Sequence, residues 1–289
     1  MNAPATTPFR PPAERSIGSI LIDAGRLNAD QTERILRLQR EKGLRFGEAA
    51  VVLGLANNND IHYALARQFD YPYLQRGESK VSPQVVAAYD PFSPQVESLR
   101  ALRSQLMLRW FDPVEGRRAL SVVSPGAGEG RSWLAANLAV LFSQLGERTL
   151  LIDADLRKPS LHTLFGLQER SGLSTLLAGR PAPEAVQRVP DLLSLSVLQA
   201  GVVPPNPQEL LARPILGQLL QQYSSSFDVV IVDTPAGSRY ADAAMVAVRT
   251  HGALMVARRD QSRMGDMKRY AERLTQSGAV VVGSVMNGN

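Results

Sequence analysis

Apolar residues change their period along this chain. Between Ile17 and Leu74 they recur every three or four positions, the spacing of one helix face, whereas past Arg118 they collect in short runs such as ALSVVS and FDVVIVD. The helical part repeats itself. IGSILIDAGRLNADQTERILRLQ, from Ile17, returns 29 residues later as FGEAAVVLGLANNNDIHYALARQ, from Phe46, matching Gly18 with Gly47, Gly25 with Gly54, Asn28 with Asn57, Leu36 with Leu65 and Gln39 with Gln68. Each copy reads as a short helix, a glycine stop, an asparagine cap and a second helix. Residues 16–74 are therefore expected to form a small all-α domain. Residues 75–94 carry Gly, Ser and Pro with little periodicity and predict a linker. SPQVESLRALRSQLMLRW then predicts a helix begun at Ser93-Pro94, with Leu99, Leu102, Leu106 and Trp110 on one stripe.

After Arg118 the apolar runs ALSVVS, RTLLIDADL, LLSLSVLQAG, FDVVIVDTPAG, GALMVA and AVVVGSVMN alternate with helical segments, one of them around Gln208 to Tyr223. Such strands suit a parallel sheet covered on both faces, here over 95–289. The composition, 44% hydrophobic and 20% charged over 289 residues, is that of an ordinary globular protein without a membrane span. MNAPATTPFRPPAER lacks the apolar centre of a secretory signal, so 1–15 is expected to be a flexible tail. The chain has no cysteine, which excludes disulfides and thiolate zinc sites and fits the cytoplasm. A net charge of +5 is spread out and no helix-turn-helix or RNA-binding motif accompanies it, so no nucleic-acid partner is expected.

The chemistry concentrates at strand ends. SPGAGEGRSW joins a strand to a helix, and its Gly126, Gly128 and Gly130 free backbone N–H groups for a phosphate at a helix N-terminus. Gly126, Ala127, Gly128, Glu129, Gly130, Arg131, Ser132 and Trp133 form the candidate nucleotide segment, with the Trp133 indole read as packing. Arg131 stands where such loops carry lysine, and its fork is expected to bind phosphate. Ser132 occupies the place of the hydroxyl that ligates Mg²⁺. Asp233 closes FDVVIVD as a Walker-B carboxylate, and Asp153 and Asp155 close LLIDAD two residues apart, on one side if the strand continues. The expected fold is thus α/β: a P-loop NTPase-type, mostly parallel sheet with helices on both faces, preceded by a small all-α domain.

LLIDADLRKP, FDVVIVDTP, PPNPQELL and the spacing of Glu97, Arg100 and Arg103 together resemble the bacterial tyrosine kinases of exopolysaccharide assembly, over roughly Pro91 to Asn287. The resemblance implies ATP and Mg²⁺, with Ser132, Asp153 and Asp233 at the metal and Asp153, Asp155 and Arg131 in catalysis. It implies adenine contact at Asn287 and self-association through Glu97, Arg100 and Arg103. It also implies a membrane polysaccharide co-polymerase as partner, with the chain cytoplasmic and peripheral to the inner membrane. The tyrosine cluster that often ends such kinases is missing from GSVMNGN, so the acceptor is expected elsewhere, at Tyr71, Tyr73 or on a partner.

The repeat over 16–74 resembles the N-terminal domain of type II secretion and pilus ATPases, some of which bind cyclic di-GMP. Arg45, Phe46, Gly47, Gly54, Leu65 and Gln68 keep that pattern, while Ser16 replaces the first arginine. The alternative is a helical interaction module. Two other functions compete with a kinase. One is a P-loop ATPase switch, whose relatives carry a lysine where this chain has Gly126. The other is a binding module with a vestigial loop and an N-terminal sensor.

Overall fold

The computed structural model describes residues 16–69, 71–168 and 171–288, so the expected tail at 1–15 lies outside the described residues. The chain divides between Pro72 and Tyr73 into two compact units.

The smaller unit comprises α1 (Ile17–Asp23), α2 (Ala29–Lys42), α3 (Phe46–Val52) and α4 (Asn58–Gln68). Asn28 and Asn57 cap α2 and α4, each accepting from the backbone of Gln31 or Asp60, whose side chain returns to the cap N–H. Gly25 and Gly54 take φ of 66° and 64°, the left-handed stop that lets each helix pair turn. Leu21, Ile35, Ala49, Ala50 and Ala64 form the small core.

The larger unit opens with α5 (Val86–Tyr89) and α6 (Pro94–Arg109), then β1 (Ala119–Val123), α7 (Arg131–Gln144) and β2 (Thr149–Asp153). It continues through α8 (Leu161–Leu164), α9 (Leu173–Leu177), β3 (Val186–Arg188), β4 (Leu195–Leu198), α10 (Pro207–Ala212) and α11 (Pro214–Ser226). The last elements are β5 (Val229–Asp233), α12 (Asp242–Thr250), β6 (Gly252–Arg258), α13 (Met264–Gln276) and β7 (Val280–Asn287). The strands order as β3-β4-β2-β5-β1-β6-β7. Neighbours are parallel except β3 and β4.

The central strands are apolar without a break because both faces are covered. Leu151 and Ile231 point into the cluster under α6 and α7, whereas Leu150, Ile152, Val230 and Val232 point into the cluster under α10 and α11. Their C-terminal ends converge on one edge of the sheet, where the glycine loop and the three aspartates lie.

The structure departs from the sequence reading in two places outside the site. Residues 75–94 are not a free linker: Val81, Val85, Ala87, Ala88 and Tyr89 are buried in the larger unit's core. The Ala87 N–H donates to Asn137 Oδ1 at 2.9 Å and Gln144 Nε2 donates to the Ala87 carbonyl at 3.0 Å, so two polar residues of α7 anchor the strap. The helix expected around Gln208 to Tyr223 is broken at Arg213, which is extended (ψ 147°) because Pro214 follows it.

Candidate active site

β1 delivers the glycine loop to the sheet edge. Gly128 and Gly130 take φ of 74° and 99°, which ordinary residues rarely adopt, and a Cβ at Gly130 would collide with Asn287 at 2.2 Å. Asn287 ends β7 and donates from Nδ2 to the Glu129 carbonyl at 3.3 Å. Glu129 is buried and accepts from the Gly126 N–H at 2.6 Å and from the Ser262 hydroxyl. Arg258 Nη1 reaches the Gly128 carbonyl at 3.1 Å and Gln261 Nε2 the Ala127 carbonyl at 3.2 Å. The turn after β6 therefore straps the outer face of the loop. The sequence reading missed Arg258, Gln261 and Ser262, although their place beyond the carboxyl end of an apolar strand was a usable signal.

Arg131, expected to face phosphate, is instead buried along the underside of the loop. Nε donates to the Thr234 carbonyl at 2.8 Å, and Nη1 to the Gly126 carbonyl and the Ser124 hydroxyl. Carbonyls satisfy its fixed charge in this conformation. The same loops are tied by their backbones, since the Gly237 and Ser238 N–H groups donate to the Ser124 and Pro125 carbonyls, both at 2.9 Å. Trp133 packs, half-buried, against the core cluster of α6 and α7.

Asp153 and Asp233 stand opposite each other on β2 and β5, both fully buried. Burial, and then the Asp233 charge, push the Asp153 carboxyl well above the usual carboxylate range. Asp233 is pushed up to about 7, chiefly by burial, against the pull of the Ser132 hydroxyl and the Arg131 guanidinium. Although Ser132 is near enough to lower it, neither Asp233 oxygen has a well-aligned donor among the described residues. A buried, orphaned carboxylate beside a second one asks for a cation, and Mg²⁺ fits this donor set. No group of three or more His, Asp or Glu residues converges among the described residues, so protein atoms alone do not form a cage. Mg²⁺ in phosphate sites commonly uses one or two carboxylates, substrate phosphates and water.

The two aspartates of LLIDAD do not share a strand face. β2 stops at Asp153, whose Oδ1 accepts the Asp155 N–H at 3.1 Å and whose Oδ2 accepts those of Ser160 and Leu161 at 3.0 and 3.1 Å. The chain turns there because that carboxylate captures the following backbone. Asp155 is half-exposed in the turn and accepts from the Arg157 and Lys158 N–H groups. Arg157 in turn grips buried Asp242 through Nε and Nη2 at 2.8 and 3.2 Å, tying this turn to the start of α12.

Glu97, Arg100 and Arg103 lie away from this edge, on α6. Arg100 pairs with Glu97 at 3.0 Å and Arg103 donates to the Leu141 carbonyl at 2.9 Å, so the arginines have partners within the chain. Glu97 remains exposed.

The ParA family, described as NUBPL iron-transfer P-loop NTPase, matches residues 116–289. This chain has no cysteine with which to hold an iron–sulfur cluster through thiolates. The putative tyrosine-protein kinase EpsB of Ralstonia solanacearum is 36% identical over 68% of the chain, which spans only 26% of EpsB. The tyrosine-protein kinase YwqD of Bacillus subtilis is 33% identical over 73% of the chain and 88% of its own length. The kinase domain of the Escherichia coli tyrosine kinase ETK superposes with a TM-score of 0.68 at 32% identity, over 76% of this chain and 85% of that domain. With a glycine loop, a Walker-B strand and an acid-bearing turn in one P-loop α/β sheet, and with this degree of likeness to YwqD, the chain belongs to the bacterial tyrosine-protein kinases.

Proposed function

We propose that this protein is an ATP-dependent protein-tyrosine kinase that acts in exopolysaccharide polymerisation and export, setting chain length together with a membrane co-polymerase. The observation that carries the reading is the buried Asp153 and Asp233 pair, with Asp233 unpartnered beside Ser132 at the foot of a glycine loop. In a chain of this family such a pair is best explained by the ion that accompanies ATP.

Gly126 to Gly130 and the first turn of α7 would cradle the phosphates through backbone N–H groups. Ser132 and Asp233 would hold Mg²⁺, with Asp153 buttressing the pair. When bound, the ion neutralises charge on the transferred phosphate. Arg131 would exchange loop carbonyls for phosphate oxygens, a change between two hydrogen-bonded states. Asp155, half-exposed in its turn, would take the proton of an acceptor hydroxyl. Asn287, already against Gly130, is assigned to the adenine side.

The proposed partner is the cytoplasmic end of a polysaccharide co-polymerase, met at the inner membrane. No helix among the described residues is long and apolar enough to cross a membrane. Self-association is proposed through α6, with the exposed Glu97 and the two arginines exchanging their present partners for groups of a second copy. A cyclic di-GMP site over 16–74 is not carried forward. Ser16 caps α1 where the pattern needs a cation, Gly54 serves a left-handed turn, and a Cβ at Gly47 would strike Ile61 at 2.8 Å. The repeat is better read as a helical interaction module.

A second reading, a ParA-like ATPase switch, draws on the match over 116–289. Incubation with Mg²⁺ and γ-labelled ATP separates the two. Phosphotyrosine supports the kinase, whereas free phosphate without phosphotyrosine supports the switch and overturns it.

A further inference from the structure

The seven tyrosines of the chain differ sharply in what they offer a kinase as acceptors. Tyr89 and Tyr270 are buried, at 6% and 3% exposure. Tyr63 lies under the guanidinium of Arg26, 4.2 Å from the ring centroid, with that of Arg67 at 5.7 Å. Tyr223 is half-buried against Phe227 under the sheet. Tyr71 and Tyr73, the positions favoured by sequence, are half-buried too. Tyr240 alone of the seven is exposed, at 40%.

Its position is as telling as its exposure. Tyr240 lies seven residues past Asp233, on the loop whose Gly237 and Ser238 are hydrogen-bonded to the start of the glycine loop. The Arg157 guanidinium, two residues past Asp155, stacks on the Tyr240 ring at 3.7 Å from its centroid while its fork stays on Asp242. That stack holds the ring against the turn that follows Asp155, on a residue that remains 40% exposed. A phosphate there would meet a permanent cation beside it and the exposed Arg239 next in sequence.

We infer that Tyr240 is a self-phosphorylation site of this chain, an inference that rests on the kinase reading above. In the step, a lone pair of Tyr240 Oη forms a bond to the γ-phosphorus of ATP. The bond from that phosphorus to the β,γ-bridging oxygen breaks, and ADP leaves with the electron pair. The phenol proton passes to the Asp155 carboxylate and from there to solvent.

The test uses the full chain, first stripped of phosphate by a phosphatase, then incubated with Mg²⁺ and γ-labelled ATP alone or with a random glutamate–tyrosine copolymer. Mass spectrometry locates the phosphate. The expected result is phosphotyrosine on the tryptic peptide from Tyr240 to Arg249. Tyr240→Phe, which keeps a ring beneath Arg157, should lose own-chain label yet phosphorylate the copolymer at the wild-type rate. Asp233→Asn should label neither. If the wild type phosphorylates the copolymer while Tyr240 stays unmodified, or if Tyr240→Phe keeps its own label, the inference falls and the kinase reading stands. If no tyrosine is phosphorylated on either substrate, the kinase reading itself falls and takes the inference with it.

Discussion

Replacing Asp233 with Asn probes the site through its charge. The Asp233 carboxyl is pushed up to about 7 from an ordinary 3.8, mainly because burial strips water from it. At about 1.4 kcal/mol per decade, keeping it ionised in the fold costs roughly 4 kcal/mol. The folded state thus holds a proton that the unfolded chain has already released across that window. Stability therefore falls as pH rises from 3.8 to about 7 and changes no further above it. Asn keeps the shape of the side chain and drops the charge. It also removes the charge facing Asp153, a gain of the same sign.

Thermal unfolding of both proteins, followed over pH without nucleotide, should show matching curves near 3.8 and a variant increasingly more stable up to about 7. For a unit of this size the gap should reach up to roughly 10 °C. Adding Mg²⁺ and ATP should reverse the order, because the ion supplies the missing partner to the wild type and finds none in the variant. Two results would refute the reasoning. A stability difference flat in pH would show that burial does not hold the proton, and equal stabilisation of both proteins by Mg-ATP would show that Asp233 is not the ion's ligand.

Other expectations follow from neighbouring contacts. Arg131→Ala should weaken Mg-ATP binding in calorimetry about tenfold or more, since charge-assisted hydrogen bonds contribute ~1.5–3 kcal/mol each; unchanged affinity would leave Arg131 a strut under the loop. Arg131→Lys should retain binding with equal or faster transfer in single-turnover experiments. Gly237→Ala would bring a methyl within 2.2 Å of the Tyr270 phenol, and urea unfolding should register a loss of ~1–3 kcal/mol. Asp228, held down to about 2 chiefly by its hydrogen bond from Arg148, contributes stability above 3.8 that is lost as pH falls through about 2. Asp228→Asn should remove that acid dependence at a cost of no more than ~1 kcal/mol at neutral pH, because the pair is partly exposed. Glu97→Ala should lower oligomer mass in light scattering without moving the unfolding temperature, whereas Arg103→Ala should move both, because Arg103 also holds the Leu141 carbonyl.

Local chemistry was legible in the sequence wherever it decided the outcome. The runs ALSVV, TLLID and VVIVD had to be doubly covered strands, and a carboxylate closing such a run had to emerge at the carboxyl edge of the sheet. The glycine loop could be placed between strand and helix for the same reason. What one residue does to the next was harder to foresee: the spacing of Asp153 and Asp155 promised a shared face, but Asp153 Oδ1 accepts the Asp155 N–H and ends the strand. A segment poor in periodicity, 75–94, looked like a linker because its anchors, Asn137 and Gln144, lie on another helix. Asn137 and Gln144, polar and buried in the mostly apolar α7, were the trace of that contact.

Arg131 shows where reading by residue type stops. Its planar fork suits phosphate, and loop position alone aims it there. The group it touches is the Thr234 carbonyl, 103 residues away in sequence, and the two meet because β5 enters the sheet beside β1. The strap formed by Arg258, Gln261 and Ser262 depends likewise on β6 lying at the other side of β1. Strand order thus surrounds the glycine loop with groups from both neighbouring strands, one side supplying the Thr234 carbonyl that holds Arg131, the other the side chains that clamp the loop. On the proposed reading, a triphosphate would draw Arg131 from the first set of bonds while the second keeps the loop in shape, and the Thr234 carbonyl would take the guanidinium back when the nucleotide leaves.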